Sequence, residues 1–589
     1  MLFHKYIKHC LMLGLVIVYG VDLKAQEFGL GYEPDDWPIP TKTAKPKRAL
    51  LSSAQNAVLP SKYDSRDYGL VTPVKNQGSY GTCWTFSSIC SLEASIIKAG
   101  YPVPDLSEHN LANLHGWDSS PIAGGNDTKA SAYFLRWCGA VPEASDPYPE
   151  SGSTITTFGT SVQRSPSYHV QNVVMVPARE SATDNEGLKK AIMDYGVLSA
   201  HFYITGDTKY RDKKTGAYYG NFTNGHNHAV SLIGWDDEYS RDNFPTTPPG
   251  DGAWLIKNSH GSTIDDAGFM HISYYDTSFA YNASAAFIVA AEDENYTGVY
   301  GYDVLGRCNS RGTGVDGCLR YGAAVFTAIG NEDLAAVGFY VITDATEYQI
   351  SVYTNCNTTS PISGVCVVDE QTGVSNFAGF KTIHLESPVR LAKGTRFSIV
   401  VGCSCPTYGY PIAYEWAKDG ASGANAKSGQ TYYGTSKTSW KDFTSYKATA
   451  SFCCKAYVKA VVDDSDNMDR NTMTPGEDLT SYVNWLNNSH NELWWQSSGT
   501  GGAMCDSICV NGSSLFSNFV CGVDPYSEDE EFKISISMDG TNPIITWEPD
   551  LKAERNYEIY GTSDLSLSSW HAPTNSYDRF FKVKVSLPE

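Results

Sequence analysis

The chain runs to 589 residues, with 44 Lys and Arg against 65 Asp and Glu for a net charge of −21, and 13% of it is aromatic. That length holds about three to four domains of roughly 150 residues with large cores, and a charged fraction of only 19% argues against disorder. The acidic balance offers no electrostatic footing for nucleic acid or an anionic membrane surface, and no apolar run reaches the ~18 residues a membrane span needs.

Lys5 and Lys8 precede an apolar run from Cys10 to Tyr19, and a small residue, Ala25, stands before Gln26. A basic start, a short apolar stretch and a small residue at the cut describe a secretory signal over residues 1–25, the alternative being a buried N-terminal strand. Export places the protein outside the cytoplasm, secreted, extracellular or on the cell surface, with the periplasm as an alternative. There the 15 cysteines can form disulfides. Residues 26–58 carry Pro34, Pro38, Pro40 and Pro46 with the basic cluster Lys45, Lys47 and Arg48, which reads as an extended tether. It is either a short pro-segment cut near Arg48 or a linker.

From 59 to 289 a helical pattern mixes with β-like runs. Residues 290–462 turn Gly-, Thr- and Tyr-rich, with short alternating segments such as Val337–Ile342 and Tyr348–Tyr353 that predict a β-sandwich. The acidic run Asp463–Asp469 lacks the glycine and closing glutamate of a calcium loop and reads as a solvated linker. The last unit, 463–589, holds Cys505, Cys509 and Cys521, read as disulfide partners rather than zinc ligands. A hairpin follows, turning at Asp539-Gly-Thr-Asn-Pro, and a final strand covers Arg579–Val585.

The chemistry concentrates in Gln77-Gly-Ser-Tyr-Gly-Thr-Cys83-Trp84. Beyond Cys83, apolar side chains recur at Phe86, Ile89, Cys90, Ala94 and Ile97, a helical spacing ended by Gly100. Cys83 thus stands at a helix start, where unpaired N–H groups and the positive dipole end favour a thiolate. Gln77, on the incoming loop, can offer its amide to an oxyanion.

This stretch resembles the active-site signature of papain-like cysteine peptidases, and further matches follow in order. Leu59–Arg66 resembles the family's mature N-terminus and Leu106-Ser-Glu-His-Asn-Leu111 its serine–glutamate turn. Asn227-His228-Ala-Val230 resembles the histidine motif, and Trp254–Gly261 the asparagine motif. The resemblance implies an α+β fold, a papain-like two-lobe peptidase domain followed by β-sandwich-type domains. Cys83 is then the nucleophile, forming a thioester acyl-enzyme. His228 holds the thiolate as an ion pair and later protonates the leaving amine, and Asn258 orients the imidazole. Gln77 and the Cys83 N–H are the oxyanion donors. Gly124 and Gly125 resemble the paired glycines along which the family lays extended substrate, and Trp84 joins them as a substrate-binding candidate. His226, two residues before His228, is the rival base on strand geometry. The partner implied is a protein or peptide substrate; no metal or organic cofactor is implied.

Three departures stand out. A disulfide expected near the nucleophile is missing at both ends, its places being held by Tyr80 and Ala123. The tryptophan that usually covers the Asn–His hydrogen bond is His260, which predicts reduced activity or an altered pH dependence. Residues 26–58 are too short for the family's usual helical propeptide. Further on, Val299–Gly306, Ala336–Phe339 and Gly379–Leu385 are similar to the lectin-like β-domain of some bacterial papain-like proteins. Tyr408, Tyr410 and Trp416 there are either stacking residues for a carbohydrate or surface polymer, or core aromatics. The rival function is a catalytically weak or inactive peptidase-like adhesion protein of the cell surface. With Cys10 removed in the signal and Cys83 kept as nucleophile, an odd number of cysteines remains, so a second thiol is also expected to be unpaired within the chain.

Overall fold

The computed structural model describes residues 30–33, 59–149, 158–222, 225–290, 296–357 and 359–461, with the backbone of four C-terminal strands between 533 and 586. The signal, most of the tether, the acidic run from Asp463 and Cys505, Cys509 and Cys521 lie outside the described residues.

Helix α1 (Cys83–Lys98) is buried continuously from Cys83 to Ile96. Its large apolar residues, Phe86, Ile89, Leu92 and Ile96, fill the surrounding core, and serines on the remaining faces allow close approach. Those serines are satisfied individually: Ser87 Oγ meets Ser199 Oγ at 2.9 Å, Ser91 Oγ donates to Val197 O at 2.9 Å, and Ser95 Oγ accepts from Val289 N at 3.0 Å. Helix α2 (Glu108–Leu114) is capped by Ser107, which accepts from Asn110 N at 3.0 Å, and α3 (Asp127–Leu135) by Asn126, which accepts from Lys129 N at 3.1 Å. The serine–glutamate turn is therefore structural. Ser107 starts the helix, and Glu108 binds Lys75 Nζ at 3.0 Å.

The opposite lobe is a sheet of β1 (Lys62–Asp64), β2 (Val170–Val176), β3 (Leu198–Phe202), β4 (Ala217–Tyr218), β5 (His228–Asp236), β6 (Ala253–Lys257), β7 (Phe269–Ser273) and β8 (Ser284–Val289). A fourth helix, α4 (Glu186–Tyr195), packs on it. The strands run in the order β4-β7-β6-β5-β3-β8-β2, with β1 on β5, and their buried face holds Trp235, Trp254 and Phe279.

This sheet continues into the next domain. Strand Ala378–Leu391 pairs antiparallel with β2 through Ala378↔Met175, Gly379↔Val174 and Phe380↔Val173. Strands Glu332–Val341, Cys454–Ala460 and Gly298–Gly301 extend it further, giving twelve strands among the described residues. A second sheet of six strands, containing Thr346–Thr354, Arg396–Ser404 and Arg320–Thr327, covers a core of Phe339, Ile350, Phe397 and Ile399. The molecule is α+β, a helix-and-sheet unit followed by a β-rich one. In the C-terminal part, strands Lys533–Asp539 and Asn542–Glu548 form the expected hairpin, and Phe580–Ser586 forms the expected last strand, paired with Asn556–Thr562.

Candidate active site

Cys83 opens α1, and its side chain reaches the start of β5, where Ala229 N donates to Sγ at 3.4 Å. His228 is the first residue of β5. Its Nε2 is bonded to Asn258 Oδ1 at 2.9 Å, while Nδ1 has no hydrogen-bond partner among the described residues. Asn258 follows directly on β6, so neighbouring antiparallel strands bring the two side chains together. Gln77 enters from the loop before α1. Its Oε1 accepts from Ser259 Oγ at 2.5 Å, its Nε2 donates to Tyr80 O at 2.8 Å, and its N–H donates to Ser259 O at 2.8 Å. The oxyanion candidate is thereby tied to the residue next to Asn258. His226 lies before the strand begins, with Nε2 on Ser278 O at 2.9 Å and Nδ1 accepting from Asn282 Nδ2 at 3.1 Å, so both its nitrogens are bonded to residues other than Asn258.

His260, in the place of the expected tryptophan, stacks on His228 with ring centroids 4.9 Å apart and takes a hydrogen bond from Asn258 Nδ2 at 3.3 Å. The same Nδ2 lies 3.4 Å from Asp265 Oδ2, and Asp265 is held by Arg211 through bonds of 2.7 to 3.0 Å. Where the missing disulfide would be, the Tyr80 ring packs edge-on against Phe158 and Tyr148. All described cysteines are free thiols. Trp84 is fully buried, and a Cβ on Gly125 would meet its indole at 2.4 Å, so it backs the glycine wall from beneath. Among the described residues no group of three His, Cys, Asp or Glu side chains could hold a metal ion.

The cleft is filled by the chain's own residues 30–33, a feature the proline pattern of the tether did not signal. Tyr32 bridges Gly125 in parallel: Gly125 N donates to Gly31 O at 2.9 Å, and Glu33 N donates to Gly125 O at 2.9 Å. Tyr32 N donates to Asn227 O at 3.2 Å, and its ring stacks on His201 with centroids 3.9 Å apart. Glu33 Oε2 accepts from Lys129 Nζ at 2.7 Å. Burial by these surroundings pushes the Cys83 thiol up to about 11, against backbone hydrogen bonds from Ala229, Gly31, Trp84 and Cys83 itself. Burial likewise takes His228 down to about 4, against its bond to Asn258. With the cleft filled, thiol and imidazole are both neutral. The same burial disfavours the ion pair implied by the family resemblance.

The model of the papain family cysteine protease matches residues 59–289, and that of the lectin like domain matches residues 299–458. Cathepsin S of Bos taurus is 29% identical over 235 residues, 39% of this chain and 64% of its own length. The senescence-specific cysteine protease SAG39 of Oryza sativa subsp. indica is 28% identical over 236 residues, 40% of this chain and 63% of its own. The chain thus spans just under two thirds of these relatives. The structure of the clostridial cysteine protease Cwp84 after propeptide cleavage superposes with a TM-score of 0.58 at 29% identity, covering 68% of this chain and 100% of that one. A structure of the cysteine protease and lectin-like domains of Cwp84, a surface layer associated protein of Clostridium difficile, gives 0.58 at 28%, with 68% and 89% covered. Both domains, in the same order, carry the resemblance, and residues 59–289 belong to the papain family of cysteine proteases, with a lectin-like domain behind them.

Proposed function

We propose that the protein is a cysteine endopeptidase that hydrolyses peptide bonds through a thioester at Cys83, and that residues 30–33 hold its cleft shut. The observation that carries this is the convergence of Cys83, His228, Asn258 and Gln77 from α1, β5, β6 and the preceding loop. Once the cleft opens to water, the Cys83 proton passes to His228 Nδ1. Sγ then bonds the peptide carbonyl carbon, whose oxygen is stabilised by Gln77 and the Cys83 N–H at about 3 kcal/mol per donor. The C–N bond breaks as His228 returns the proton to the leaving amine. Water, deprotonated by His228, then cleaves the thioester.

Residues 30–33 support a blocking role through their direction. The segment offers Cys83 a backbone N–H, that of Gly31, and turns the Gly31 carbonyl to Gly125, so no electrophilic carbon is presented to the thiol. The apolar run before Ala25 supports export, and the cell surface is the proposed location, in keeping with the surface layer association of Cwp84. In the lectin-like domain Trp416 lies under Lys447 and Tyr408 packs on the core, which leaves Tyr410, 41% exposed, as the proposed contact for a carbohydrate or surface polymer.

The test is labelling by an epoxide-bearing peptide in the reduced full chain carrying Tyr32→Ala. Modification of Cys83, lost in Cys83→Ala, is expected. Failure to label, with the fold intact by circular dichroism, would leave the adhesion-protein reading in its place.

A further inference from the structure

Lys129 is a lysine in an unusual position. It lies on α3 beside the glycine wall with its side chain only 6% exposed, and its ammonium donates to Ser119 Oγ at 2.9 Å, Gly124 O at 3.2 Å and the Glu33 carboxylate at 2.7 Å. Two of these acceptors are neutral, and the carboxylate belongs to the segment that fills the cleft. When residues 30–33 leave, the ammonium keeps its two neutral acceptors and loses its charged one, so a carboxylate brought to the same place regains a charge-assisted bond.

We propose that Lys129 forms a specificity site, selecting peptides with an acidic residue third before the scissile bond. The inference rests on the peptidase reading above. Its geometry follows from the segment. Outward from Cys83 come Gly31, Tyr32 on Gly125, and Glu33 on Lys129. A substrate must present a carbonyl where the segment presents an N–H, so it runs the opposite way along the same wall. Counting outward from the thiol, its residues are then the one bearing the attacked carbonyl, the second before the bond and the third. Extended backbone alternates its side chains in either direction, so the second side chain takes the place of the Tyr32 ring and the third that of Glu33.

The experiment uses the full chain carrying Tyr32→Ala and Glu33→Gln, substitutions chosen to open the cleft, and quenched fluorescent peptides that differ only at the third position before the bond. Peptides with Glu in the third position are expected to be cleaved about tenfold faster, in kcat/KM, than those with Lys. The Glu/Lys ratio should survive Lys129→Arg, fall to about one in Lys129→Met and invert in Lys129→Glu. Each ratio is internal to one variant and so is independent of the fraction folded. A ratio unmoved by Lys129→Met, with cleavage intact, overturns this inference alone. If no peptide is cleaved and the epoxide leaves Cys83 unlabelled, the peptidase reading falls and takes the inference with it.

Discussion

His260 is placed to act on the catalytic pair through two contacts, a stack on His228 and a hydrogen bond accepted from Asn258. An indole in its place would cover the Asn258–His228 bond with more apolar area than the imidazole does. The His260→Trp variant is expected to raise kcat/KM at pH 7. A value identical to wild type would remove His260 from the account. Below it, Arg211 and Asp265 have side chains 4% and 0% exposed and bond in a fork. Deleting the carboxylate in Asp265→Ala strands a buried guanidinium, and urea denaturation is expected to show a loss of about 3–5 kcal/mol. The four positions proposed to react could be read in the sequence because each sits in a short run that resembles a motif of the family. Asp265 could not. It lies on a loop, in the left-handed backbone region at φ 56, and meets Arg211 across 54 residues of chain.

At the scale of elements, α1 was legible from its spacing because nearly every position is buried, and Gly100, at φ 91, follows its end at Lys98. The blocking segment was not. The prolines that follow it, from Pro34 onward, predict an extended chain, but which wall an extended chain pairs with is chosen by tertiary contact. The fit is close: a Cβ on Gly31 would lie 2.1 Å from the Gly81 carbonyl carbon. One consequence is measurable through the thiol. At a pKa of about 11, Cys83 is thiolate to only about one part in ten thousand at pH 7. Tyr32→Ala loosens the segment and readmits water, so the folded-state pKa falls toward and below the ordinary thiol value. Alkylation of Cys83 by iodoacetamide at pH 7 is then expected to quicken by more than about tenfold, with its midpoint moving to lower pH. Equal rates in the two proteins would show that the segment does not control the thiol.

The whole molecule is joined by more than a tether. One apolar cluster contains Trp84, Phe134 and Phe287 from the peptidase unit and Phe380 and Tyr457 from the lectin-like domain. The loop before the glycine wall is braced from the same side: Asp118 accepts from Ser422 N at 2.8 Å and Ser422 Oγ at 2.7 Å, and Asp118 N donates to Gly420 O at 3.1 Å. Sequence patterning separates the two units because their strand rhythms and composition differ. It is blind to the shared sheet, whose join depends on an edge in one unit meeting an edge in the other. Gly379 is a weak point of that join. It lies opposite Val174 with φ 126, and a Cβ there would lie 1.9 Å from Val173 O. An alanine cannot be accommodated without parting the two edge strands, so Gly379→Ala strains the backbone and opens the pairing at once. If the units fold as one, calorimetry of the wild type shows a single transition, and Gly379→Ala lowers it by several degrees or divides it in two, a loss of about 2–4 kcal/mol. Peptidase activity in the opened chain should fall with it, because the braced loop carries Gly124 and Gly125. An unchanged transition in Gly379→Ala would mean that the two units stand independently and that the shared sheet contributes nothing to the cleft.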